Sequence, residues 1–153
     1  MFQRIAKSVS GVLAAGLLVG VAVAAAEVPF KAKGIGTVTS LVPGHIEFAG
    51  VATGTHLGKY IEVGGNDFDL VGNISNGSFT ITAADGSTLS GIYSGTYAPL
   101  PTGELKFTLN VQYQIGTKRL TGVTGQAELV AVLPNLAPGT VFQYRGIGSL
   151  LFP

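Results

Sequence analysis

From Glu104 to Ile115 the chain alternates without a break: Leu105, Phe107, Leu109, Val111, Tyr113 and Ile115 are interleaved with Glu104, Lys106, Thr108, Asn110, Gln112 and Gln114. Successive side chains of an extended strand point to opposite faces, so this segment has one apolar face and one wetted face. At about 3.3 Å per residue such a strand runs roughly 40 Å. That is long for a sandwich and natural for a tilted barrel stave. The chain is therefore expected to be all-β, a single antiparallel barrel of roughly eight strands, with a β-sandwich as the alternative.

The other segments obey the same rule with more glycine. Ser78–Thr82 alternates, Asp85-Gly86 supplies a hairpin turn, and Thr88–Tyr97 returns with Leu89, Gly91, Tyr93, Gly95 and Tyr97 on one face. Glycine inside strands suits a curved sheet, where it permits bends and close backbone approach. Further strands are expected at Lys33–Ser40, His45–Thr53, Leu57–Val63, Asp67–Ile74, Gly125–Leu133 and Thr140–Gly148. Turn chemistry separates them at Pro43-Gly44, Gly64-Gly65-Asn66, Asn76-Gly77, Pro99–Gly103, Pro134-Asn135 and Pro138-Gly139. No segment carries a convincing helical period.

Residues 1–26 read as an export signal, with Arg4 and Lys7 ahead of an apolar run and a small-residue end at Ala24-Ala25-Ala26. Three glycines in that run favour cleavage over a membrane anchor, which implies a periplasmic or extracellular domain over residues 27–153 without a membrane span. The chain has no cysteine, which excludes lipidation at a thiol and any disulfide framework. Beyond the leader, seven basic residues stand against eight acidic ones, a net charge of −1. Nucleic acid is not an expected partner, since that would call for a basic patch.

Few residues carry chemistry. The two histidines, His45 and His56, are separated by a turn and do not suggest a shared metal. Asn66-Asp67-Phe68-Asp69 has the one-three carboxylate spacing of calcium loops but lacks their glycine and terminal glutamate, and reads as a turn entering a strand. There is no nucleophile elbow, and Gly34-Ile35-Gly36 lacks the third glycine and following helix of a phosphate cradle. Asn73-Ile-Ser75 and Asn76-Gly-Ser78 are formal sequons at an expected turn, and Lys118-Arg119 reads as a solvated tip. Strand parity over Thr55–Val63 puts His56, Tyr60 and Glu62 on one face, a polar ladder if that face lines an interior, and otherwise a cross-strand hydrogen-bonding row.

Three segments, Gly50–Tyr60, Thr82–Tyr97 and Gly116–Leu129, together resemble a group of exported bacterial proteins of unassigned function. The third is also similar to the glycine-rich hairpin of the allene oxide cyclase and dirigent barrels. That resemblance implies an eight-stranded antiparallel barrel with an apolar cavity. Where the group has glycine followed by Arg-Phe, this chain has Lys118, Arg119 and Leu120. No catalytic residue of the plant cyclases maps onto a position here.

The resulting expectation is an exported barrel that binds a small apolar ligand among His56, Tyr60, Glu62, Tyr93, Tyr97 and Tyr113, with Phe107 as a further wall and no metal or cofactor. The alternatives are a cyclase-type enzyme using His56 with Glu62, and a structural or outer-membrane-associated barrel.

Overall fold

The structure, a computed structural model, describes residues 23–153. The expected leader therefore lies outside the described residues up to position 22. Eight strands follow in order: β1 (Ala26–Val42), β2 (His45–Gly54), β3 (Gly58–Phe68), β4 (Asn73–Ala83), β5 (Thr88–Pro99), β6 (Leu105–Gly116), β7 (Thr124–Leu133) and β8 (Val141–Phe152). A 3₁₀ turn at Lys118–Leu120 interrupts the β6–β7 connection. Each strand pairs antiparallel with the next, and β1 pairs with β8 from Ala26↔Phe152 to Thr37↔Val141. Closure settles barrel against sandwich, and it leaves no strand edge open. Among the described residues no helix is long and apolar enough to cross a membrane.

In β6, Phe107, Val111 and Tyr113 are buried while Lys106, Asn110 and Gln112 face out, as the alternation requires. Ile115 departs from it and is 67% exposed. Ser90 pairs with Ile115 but Gly91 pairs with Tyr113, so Gln114 is an extra residue that flips the parity beyond it.

Two turns expected from glycine-rich sequence are not turns. Gly64-Gly65-Asn66 lies within β3, and Asn76-Gly77 lies within β4, so the expected Asp67–Ile74 strand is split between the two. The register slips at Asn76, which adopts φ 51° as the extra residue of a β-bulge. The chain reverses instead at Asp69–Gly72, where Asp69 Oδ1 accepts the Val71 and Asn73 amides.

One end of the barrel is plugged. Phe30, Leu89, Leu120, Val123 and Leu150 are completely inaccessible there, with Leu57 beside them. Lys118-Arg119 is more than a solvated tip: Arg119 pairs with Asp85 and donates to the His56 and Leu57 carbonyls at 3.0 and 3.1 Å. It thereby ties three turns together beneath the plug. The opposite end has an aromatic rim, where Tyr97 stacks on Phe107 with centroids 5.4 Å apart and meets Phe68 edge-on at 6.3 Å. Outside, β4–β7 present mainly polar residues, Thr80, Ser90, Ser94, Thr108, Asn110 and Gln112 with Ile92 among them, whereas β1–β3 present Ile35, Val51, Ile61 and Val63 alongside Lys33 and Lys59. A lipid-facing band would be apolar all round.

Candidate functional site: a carboxyl inside the barrel

Glu62 occupies an inward position at the middle of β3, opposite Gly50 and Ile81. It is 8% exposed, among aromatic and aliphatic neighbours. The Tyr144 hydroxyl donates to Glu62 Oε2 at 2.6 Å. Among the described residues no lysine, arginine or histidine pairs with it. A cavity of about 70 Å³ adjoins the carboxyl, walled by Tyr60, Tyr93, Tyr113, Tyr144, Phe79 and Phe107, with Asn66 as a second polar group. The Tyr93 hydroxyl donates to Asn66 Oδ1 at 2.9 Å, and Asn66 Nδ2 donates to the Asp67 carbonyl at 3.0 Å.

Tyr144 reaches Glu62 from three strands away because β1 is nearly bare between them. A Cβ on Gly34 would lie 2.6 Å from Tyr144 Cζ and from Ala52 Cβ, and one on Gly36 would lie 2.3 Å from Phe142 Cζ. The two aromatic rings of β8 thus lie over a glycine strip, and the barrel is filled from that side.

Burial pushes the Glu62 carboxyl above the ordinary carboxylate range, and the Tyr144 hydrogen bond opposes the rise only in part. Burial also raises the Tyr60, Tyr93, Tyr113 and Tyr144 phenols, with Glu62 adding to the rise in each. The cluster is therefore driven toward its uncharged form. A protonated Glu62 accepts from Tyr144 through one oxygen and has its own proton to donate toward the cavity.

Of the six residues expected to bind, Tyr60, Glu62, Tyr93 and Tyr113 converge on this cavity, and Phe107 joins them. Tyr97 stands at the rim, half-buried, its hydroxyl donating to the Asp69 carbonyl. His56 does not join the ladder. It lies in the β2–β3 turn with φ 67°, exposed, its ring edge-on to Phe152 at 6.0 Å. The turn breaks strand parity, so Leu57 goes inward and the imidazole stays outside. A His56–Glu62 proton relay thus has no geometric basis.

Two contributors were missed in the sequence. Tyr144 shares a parity with Phe142 and Gly146 that would have flagged it, and Asn66 was hidden by reading Gly64-Gly65-Asn66 as a turn. The calcium-like acids are engaged elsewhere. Asp67 accepts from His45 Nδ1 at 2.7 Å and from Asn76 Nδ2 at 2.9 Å, and Asp69 accepts from Asn73 Nδ2 at 2.7 Å. Hydrogen bonds hold both carboxyls below the usual range, from Asn76 and then His45 at Asp67, and from the Asn73 backbone amide and then its side chain at Asp69. No three metal-ligating side chains converge among the described residues. In comparisons with protein-family models, with characterised proteins and with solved structures, the chain matches none.

Proposed function

We propose that the barrel binds a small, uncharged, largely apolar molecule carrying one hydrogen-bond acceptor, which sits against Glu62 inside the tyrosine-lined cavity. The observation that carries this is Glu62 itself: a carboxyl in an aromatic interior, satisfied by one phenol and facing unfilled space. A barrel that only had to fold would gain from an aliphatic side chain there, because an unpaired buried acid is costly. The resemblance to allene oxide cyclase and dirigent barrels implies the same kind of apolar cavity, and an export leader over residues 1–26, as the sequence suggests, would put the binding outside the cytoplasm.

The cavity limits the ligand. At about 70 Å³ it is roughly half the size of an engineered apolar cavity that takes up benzene. A resting fit is confined to a handful of heavy atoms, and anything larger enters by swinging Phe68 and Tyr97 aside at the rim. Because the plugged end is sealed by inaccessible side chains, the rim is the way in.

The test begins with protein purified without refolding, whose extract is examined by mass spectrometry. Saturation-transfer NMR against small ketones and amides, with carboxylates of equal size as controls, supplies the second arm. The neutral compounds are expected to bind and the carboxylates to fail, since a second acid beside Glu62 has no cation to meet. Absence of any co-purified molecule together with no binding by the neutral panel would overturn the proposal.

A further inference from the structure

On the outer face of β1–β3 the register arranges side chains in rows across the strands. Lys33 and Lys59 flank Thr53 in the first row, and Ile35, Val51 and Ile61 form the second. Thr37, Ala49 and Val63 form the third, and Glu47 stands between Ser40 and Gly65 as the one charge of the fourth. The apolar rows are open to solvent, with Ile35 49%, Val51 60%, Ile61 56% and Val63 54% exposed. A shallow groove of about 800 Å³ runs over the first two rows. Single exposed aliphatics are ordinary, but a contiguous set bounded by charge marks an interaction surface.

The charges choose the occupant. They are opposite at the two ends, positive at Lys33 and Lys59 and negative at Glu47, with the apolar rows between. A two-fold axis lying in the contact plane and running across the strands reverses the row order of a second copy. Lysines then meet glutamates at both ends, and apolar rows meet apolar rows in the middle. A two-fold along the strands would set lysines against lysines, which repulsion disfavours. We propose that this face docks a second copy of the same chain, with Glu47 of each copy seated between the partner's Lys33 and the partner's Lys59. Such an interface is isologous, as a closed dimer requires. Glu47 is free to serve: it is 57% exposed, and its contact within the chain is a 3.9 Å approach to His45 Nε2.

Four rows span about 20 Å along the strands and three strands about 15 Å across. That footprint falls short of the roughly 800 Å² per partner of a standard stable interface. The dimer is accordingly weak and depends on concentration. The cavity lies on the other side of the sheet, and Tyr60 and Tyr144 border both it and the groove.

Sedimentation velocity from about 5 µM to 1 mM is expected to show a monomer passing into a dimer, within the range of small transient interfaces. Glu47→Lys alone, and Lys33→Glu/Lys59→Glu alone, are each expected to weaken association at least about tenfold. Mixing the two variants is expected to restore it, because in the mixed pair both ends are again complementary. Recovery on mixing also shows that neither variant has lost its fold. The proposal is overturned by a monomer at every concentration, by a dimer indifferent to Glu47→Lys, or by failure of the mixture to associate. A monomer that instead floats with anionic phospholipid vesicles would assign the face to a membrane and overturn it equally.

Discussion

At the scale of single residues, His56 and Glu62 share a sequence parity and have opposite fates. Three residues of turn intervene before β3 begins at Gly58, and within them the backbone at His56 enters the left-handed region, φ 67°. That conformation costs a non-glycine residue roughly 1 kcal/mol or more. His56→Gly is therefore expected to leave stability unchanged or to raise it by up to about 1 kcal/mol, measured by urea denaturation. A loss above about 1 kcal/mol would show that the imidazole contact with Phe152 outweighs the backbone strain. The imidazole could not be placed from sequence, because parity holds only while the chain stays extended. Tyr60, Glu62, Tyr93 and Tyr113 lie within strands, where parity fixes which residues share a face but not which face is the interior, and all four are buried.

Among the elements, the same glycine and asparagine residues serve as turn and as bulge, and a linear pattern does not separate the two. Asp85-Gly86 does close a hairpin, whereas Asn76-Gly77 bends β4 without ending it. What distinguishes them is pairing across the sheet, which is a property of the neighbouring strand. The β6–β7 connection shows this too. Lys118 and Arg119 look like a charged tip, yet the 3₁₀ turn they open drives Leu120 into the barrel as part of its plug. Leu120→Ala is expected to cost about 2–5 kcal/mol in denaturant unfolding, the range for a fully buried leucine whose neighbours are held in place. A cost under about 1 kcal/mol would mean that the end of the barrel is loosely packed.

For the whole molecule, the long alternating strand favoured a closed cylinder over a sandwich, and the β1–β8 pairing completes the cylinder. The buried acid follows from that closure, since only a closed barrel takes Glu62 out of bulk water. Folding therefore couples to its proton. The folded-state pKa is raised above the unfolded one, so the folded protein holds the proton where the unfolded chain has released it. Stability on this account is fully present below the unfolded value of about 4.3 and falls as pH rises through the folded value. Asp67, Asp69 and Asp85, the last held down to about 2, act in the opposite sense and lose their contribution only as pH falls below about 4. The two windows are separate. The decisive measurement is the unfolding free energy in urea from pH 4.5 to 8.5 for the wild type and for Glu62→Gln, which keeps the shape and removes the titration. The wild type is expected to lose stability relative to Glu62→Gln as pH rises, and parallel curves across the whole range would contradict a cation-free acid sealed inside the barrel.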